Sequence, residues 1–198
     1  EIDKNKAYSV EVEYTSSADT SEKKVTIPSK VTVNGVEATV TSIADNAFAG
    51  NKTMTDVTIP DTVEKLGDNA FKGCTKLKNI TLPASVEEVG SNSFAGCTSL
   101  TKVNVKGSKL TKVGTGSFKN CKKLKDVTLP KSVTSIGKEA FSGDKSMKKI
   151  KIKSTKIKSM GKNAFKGLPK KAVIEVPKKC KKTYTKMLKK AGFKGKIK

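Results

Sequence analysis

Apolar and polar positions recur along this chain in one fixed order. The stretch from Val63 to Ser85 reads Val-x-x-Leu-Gly-x-x-Ala-Phe-x-Gly-Cys-x-x-Leu-x-x-Ile-x-Leu-Pro-x-Ser, and related wording surrounds Phe48, Phe71, Phe94, Phe118, Phe141 and Phe165, which lie 23 or 24 residues apart. A period in that range marks one supersecondary unit stacked on copies of itself. Within the unit, Ile80 and Leu82 alternate with polar neighbours, which predicts a short strand with one buried face. Pro83 ends it by removing a ladder donor. Gly67 breaks the path after Leu66, Asp68 or Asn69 is placed to cap a short turn or helix carrying Ala70 and Phe71, and Gly73 lets the chain leave.

The same apolar set returns in every unit. Leu66, Val89, Val113, Ile136 and Met160 form one column, Ile80, Val103, Val127, Ile150 and Ile174 another, and Leu82, Val105, Leu129, Ile152 and Val176 a third. Strands about 4.8 Å apart would merge these columns into one core with a phenylalanine spine. The 23-residue units turn through Ile59-Pro60, Leu82-Pro83 and Leu129-Pro130, whereas the 24-residue units substitute Lys106-Gly107-Ser108-Lys109 and Lys153-Ser154-Thr155-Lys156. A proline corner is thus shorter by one residue, and all corners should lie on one edge, the longer ones exposing more lysine.

The ends depart from the pattern. Tyr8, Val10, Val12 and Tyr14 alternate with polar residues as a half-buried strand, Thr15 to Lys24 reads as a polar loop, and Val25-Thr26-Ile27-Pro28 repeats the wording of Val57-Thr58-Ile59-Pro60. Asn34-Gly35 between Val31 and Val40 is a hairpin signal. After Pro177, Cys180, Tyr184, Met187, Leu188 and Ala191 fall at helical spacing, with Gly192 as the stop and Phe193 just beyond. Three segments follow: residues 1–39 as an N-terminal β cap with a degenerate repeat strand, 40–177 as six repeats, and 178–198 as a basic helical cap over the open end of the array.

The phrase Ile136-Gly137-x-x-Ala140-Phe141 and the phrase Phe71-x-x-Cys74-x-x-Leu77-x-x-Ile80-x-Leu82-Pro83 resemble the BspA-type (Treponema pallidum type) leucine-rich repeat. The resemblance covers about residues 40 to 177. It implies a right-handed α/β repeat solenoid of short parallel strands, found in surface or secreted proteins of bacteria, with adhesion to host or neighbour-cell proteins as the usual work. It also implies no catalytic residue in the repeat. Departures cluster at the ends: Ala44 replaces the glycine, Asn51 and Leu168 the cysteine, and Lys171 a core leucine.

Charge adds a second pattern. The 198 residues carry 41 basic and 18 acidic groups. Residues 1–99 hold 10 lysines against 14 acids, and residues 100–198 hold 31 lysines against 4. Every basic residue is lysine, with no arginine, histidine or tryptophan. That choice disfavours specific nucleic-acid reading, which prefers the planar guanidinium fork, and suits polyanions bound in a salt-sensitive way. No window approaches the ~18 apolar residues of a transmembrane segment, and Glu1-Ile2-Asp3-Lys4 does not open a secretory signal.

Candidate chemistry is sparse. Cys74, Cys97 and Cys121 occupy one repeat position, with Asn51 and Asp144 in the same column. Metal sites need convergent ligands, and spacings of 23 and 24 with no histidine do not supply them. Neighbouring thiols would lie about 5 Å apart, but parallel side chains do not present a disulfide dihedral. These side chains are therefore expected to pack or bond the adjoining turn. Glu87-Glu88 reads as a solvated pair, and no cluster supports catalysis or a cofactor. The exposed strand positions remain as a binding face: Lys102 and Asn104, Asp126 and Thr128, Lys149 and Lys151. Two functions stand: a monomeric cell-surface or secreted adhesion module contacting a protein or an anionic glycan, and an envelope spacer tethered by charge to anionic wall polymers.

Overall fold

The structure, a computed structural model, describes residues 9–12, 22–107 and 109–198. It is a parallel β-solenoid of about seven turns with one short helix near its C-terminus. Each turn contributes two strands to two different sheets. The strands the alternating pattern predicts are a separate pair, β2 (Lys24–Thr26) and β5 (Asp56–Thr58), and the sheet of β7 (Asn79–Leu82), β9 (Lys102–Val105), β11 (Asp126–Leu129), β13 (Lys149–Ile152) and β15 (Val173–Glu175). From β7 to β15 these pair in parallel and in order, and β2 pairs with β5 through Val25↔Val57. The second sheet consists of two-residue strands: β6 (Lys65–Leu66), β8 (Glu88–Val89), β10 (Lys112–Val113), β12 (Ser135–Ile136) and β14 (Ser159–Met160). The sequence marks these residues as a core column but not as strand, because two residues cannot establish a period of two.

This second sheet continues into the N-terminal segment. β4 (Val36–Ile43) pairs in parallel with β6 and with β1 (Ser9–Val12), and antiparallel with β3 (Lys30–Val33). The β3–β4 turn places Asn34 at φ 51° and Gly35 at φ 77°, the left-handed pair that the Asn-Gly hairpin requires. Tyr8, Tyr14 and most of the expected polar loop lie outside the described residues.

Between the sheets each unit makes turns, not a helix. Asp45 Oδ1 accepts the backbone N–H of Asp68, and Asp68 Oδ1 that of Ser91, both at 2.6 Å. The aspartate therefore bonds the next repeat and does not cap a helix in its own. The glycine before it is required for space. A Cβ on Gly114 would stand 2.6 Å from the carbonyl oxygen of Val89, and one on Gly137 2.5 Å from Gly114 carbon. Ala44 is accommodated where the array begins.

Six phenylalanines form the spine. Ring centroids from Phe48 to Phe165 are separated by 5.0, 5.2, 5.3, 5.4 and 5.8 Å with planes within 8° of parallel. The spacing follows from the strand separation, since each ring is carried one turn along the axis. Beyond Phe165 the ladder turns: Phe193 meets it edge to face at 6.4 Å. Phe193 follows helix α1 (Lys181–Lys190), whose Tyr184 and Leu188 are buried. A last strand, β16 (Lys196–Ile197), adds to β15 through Ile174↔Ile197. The helix stops where Gly192 was expected to end it, and Gly192 at φ 89° turns the chain back toward the sheet edge, where the residues beyond it add the short strand β16.

Candidate functional site

The six outward-facing residues singled out above lie on three adjacent strands. Parallel register stacks Asn79, Lys102, Asp126 and Lys149 in one column, and pairs Thr81 with Asn104 and Thr128 with Lys151 in a second. Because side chains alternate across a strand, the intervening Val103, Val127 and Ile150 point into the core while both columns face outward. Asn104 is half-buried and its Nδ2 reaches Thr81 Oγ1 at 3.5 Å. Lys149 Nζ lies 3.6 Å from Glu175 of the next strand, which offsets part of the positive charge at that end. Lys102 and Lys151 make no ion pair among the described residues.

The seam between β9 and β11 differs from its neighbours. β7 pairs with β9 over four residues, as β11 does with β13, but β9 pairs with β11 only through Lys102↔Asp126 and Val103↔Val127. The corners explain this. Lys106 donates its N–H to Leu82 O, and Lys153 to Leu129 O, both at 3.0 Å. Pro130 occupies the corresponding place after β11 and has no N–H to give to Val105. Lysine corners close onto the preceding turn, and the proline corner leaves the seam open.

Two depressions result. A shallow groove of about 370 Å³ lies over the paired part of the seam, walled by Asn79, Lys102, Asn104, Asp126 and Thr128. A larger notch of about 530 Å³ lies at the corners, with Ala84, Val105 and Pro130 among its walls and Lys106, Lys109, Lys131 and Lys153 at its rim. Sequence reasoning identified the first through exposed strand positions. It missed the second, whose only signal is the alternation of proline and lysine at the corner.

The cysteine column is a hydrogen-bonding device. Sγ of Cys74, Cys97 and Cys121 donates to the carbonyl oxygen of Phe48, Phe71 and Phe94 respectively, each at 3.1 Å. Burial pushes the Cys74 thiol up to about 12 and those of Cys97 and Cys121 well above their ordinary value, so they remain neutral donors. Asn51 in the same column uses Oδ1 to accept the N–H of Thr53 and of Met54. Cys180 is half-buried, with Sγ 3.8 Å from Thr155 O. Glu88 pairs with Lys112 at 2.7 Å, while Glu87 stands 3.9 Å from Lys109. Among the described residues no group of three or more cysteine or acidic side chains is arranged to hold a metal ion. No helix among them is long and apolar enough to cross a membrane.

Two parallel sheets, a leucine-type core and one outward polar face define a leucine-rich-repeat solenoid, a class whose members are typically non-enzymatic binding modules. The chain belongs to the BspA-type leucine-rich repeat family, whose repeat region matches residues 41–171 and 94–194, with six copies. It is similar to a leucine-rich repeat protein from Bacteroides ovatus, with 34% identity and a TM-score of 0.68 over 78% of this chain and 39% of that one. It is also similar to the Treponema pallidum leucine-rich repeat protein, with 27% identity and a TM-score of 0.65 over 88% of this chain and 85% of that one. A leucine-rich cell surface protein from Faecalibacterium prausnitzii is 30% identical, with a TM-score of 0.60 over 77% of this chain and 47% of that one. The chain therefore spans less than half the length of the Bacteroides and Faecalibacterium proteins. No curated protein sequence matches it.

Proposed function

We propose that the chain is an extracellular or cell-surface adhesion module of a bacterium, binding a protein or an anionic glycan through the outward face of β9, β11 and β13. The observation that carries this reading is the alignment of Lys102, Asn104, Asp126, Thr128, Lys149 and Lys151 in two columns on three adjacent strands. Backbone pairing holds the Cα atoms of those residues at fixed spacing, so binding has to order the side chains but not the chain that carries them. The face lacks the Tyr, Trp and Arg anchors of tight interfaces, which fits an avid, multiply engaged contact. The Faecalibacterium relative's description as a cell surface protein supports the location.

The same reading divides the chain at residues 39 and 177 and makes the solenoid right-handed. The N-terminal hairpin covers one end and α1 with β16 the other, leaving a monomer whose lateral face is free. The supporting contacts are the antiparallel β3–β4 pair and the packing of Phe193 on Phe165. The test is binding of the purified protein to an array of matrix proteins and glycans, with K149E/K151E beside the unmodified chain. Loss of one particular ligand supports the module. Binding that tracks only the charge density of every polymer sinks it in favour of an envelope spacer tethered to anionic wall polymers.

A further inference from the structure

The corner notch adjoins the proposed strand face, sharing Thr128 with it, but its rim chemistry is different. Lys106, Lys131 and Lys153 are exposed and make no ion pair among the described residues, while Lys109 stands 3.9 Å from Glu87. Among the described residues no acidic side chain lines the notch. A comparable opening at the Pro83 corner, between β5 and β7, is smaller, about 240 Å³, and mixes Asp61 with Lys106. The Pro83 and Pro130 corners each border an opening, and the one in the lysine-rich half is rimmed by lysine alone.

The shape of the notch narrows the ligand. Its 530 Å³ falls within the range of about 300–1,000 Å³ typical of small-molecule sites. Ala84 and the half-buried Val105 offer apolar surface, and Thr128 a hydroxyl, beneath a rim of ammonium groups. A bare inorganic anion would leave that apolar surface unused. A flat nucleic-acid base would find no aromatic partner or guanidinium to stack on. A sugar ring carrying anionic substituents matches all three features, with C–H groups against Ala84 and Val105, a hydroxyl at Thr128 and sulfate or carboxylate at the lysines. Gly107 fixes the wall: a Cβ there would stand 2.4 Å from Ala84 Cα, so the corner is pressed onto the preceding turn and away from Pro130.

We infer that the notch between the β9 and β11 corners is a binding site for a sulfated or carboxylated glycan segment, held by Lys106, Lys131 and Lys153. The inference deepens the adhesion reading by naming a ligand class, but it places the contact on the corner edge and not on the strand face. The experiment uses a size-defined, fully sulfated heparin hexasaccharide and measures affinity by calorimetry at fixed salt. Three proteins are compared: K106Q/K131Q/K153Q, the charge-matched control K122Q/K123Q/K145Q, and the face variant K149Q/K151Q. The notch variant should bind about tenfold more weakly, since it removes three charge-assisted contacts at once. The control and the face variant should change by less than about threefold on the same scale. Equal losses in the first two would overturn the inference in favour of diffuse attraction. Loss confined to the face variant would overturn it while sparing the adhesion reading. As a check independent of substitution, the hexasaccharide should shift the methyl resonances of Val105 and Thr128 at a charge-equivalent concentration where inorganic sulfate does not. Equal shifts with sulfate would mean a simple anion site and would also overturn the glycan assignment.

Discussion

Asp144 Oδ1 accepts the backbone N–H of Cys121 at 2.8 Å, inside a column where the three preceding residues are cysteines donating to phenylalanine carbonyls. Asp144 is fully buried, and its second oxygen, Oδ2, has no partner among the described residues. Burial pushes its carboxyl well above the ordinary range. A carboxylate has replaced a neutral donor at a place that supplies carbonyl oxygens.

The sign of the pH dependence follows. A folded-state value above the unfolded one means that the native protein binds the extra proton, so this contribution is fully present below an unfolded value of about 3.9 and is lost as pH rises toward the folded value. Asp144→Asn removes the charge and offers an amide N–H to Phe118 O in the manner of the cysteines. Urea unfolding should show D144N more stable at pH 7 by on the order of 1–3 kcal/mol, with the gain shrinking toward pH 4. A gain independent of pH would mean that Asp144 does not titrate in this way.

Gly114 tests the close approach of successive turns. Its added Cβ would meet Val89 O and the carbonyl of Gly90 at 2.6 to 2.7 Å, and backbone cannot swing aside as a side chain can. Gly114→Ala should cost about 2–3 kcal/mol by urea unfolding, as overpacking does in a tight core. Gly50→Ala is the comparison, since a Cβ there meets nothing within 4 Å and only its φ of 78° resists the change. Its cost should be about 1–2 kcal/mol.

Those glycines show how far the fold could be read from the chain alone. The phenylalanine period assigns Gly67, Gly90, Gly114 and Gly137 to one column, and the need for glycine there is legible as a break in the path. Its cause, backbone against backbone from the previous turn, is not, because periodicity carries no axial distance. Likewise Leu66 and Val89 announce burial, while their two-residue strands emerge only from pairing between turns. The candidate face was legible because alternation exposes Lys102 and Asn104 around Val103. The notch was not, because it depends on an N–H that Pro130 lacks and on where the Val105 carbonyl points.

Tyr184 ties helix α1 to the last full repeat, its phenolic oxygen accepting the backbone N–H of Ile157 at 2.9 Å in a buried contact. Tyr184→Phe keeps the ring and removes the acceptor, leaving that N–H unpaired at a cost of about 1–2 kcal/mol. Since α1 lies at the end of the array, the loss should be local as well as global. Hydrogen exchange should accelerate in α1 and at Ile157 before it does at Phe71. Uniform acceleration would show that the helix is not an independently opening unit.

Glu139 occupies a backbone position otherwise held by asparagine or glycine. Its φ is 57°, against 61° at Asn46, 57° at Asn69, 54° at Asn92, 62° at Gly116 and 60° at Asn163. A side chain such as glutamate costs about 1–2 kcal/mol in that left-handed region, whereas asparagine tolerates it. Glutamate gains something in return: Lys119 Nζ lies 2.6 Å from its carboxylate, and that hydrogen bond and charge hold the carboxyl below its ordinary value. A lowered value means a contribution present above the unfolded value of about 4.3 and lost as pH falls through the folded one. Glu139→Asn relieves the backbone at every pH but forfeits the ion pair only where the wild-type chain has it. E139N should therefore be more stable than wild type at pH 3, with a smaller gain at pH 7. The measurement is the difference in urea midpoint at the two values. A larger gain at pH 7 than at pH 3 would reverse the balance argued between backbone conformation and the Lys119 pair.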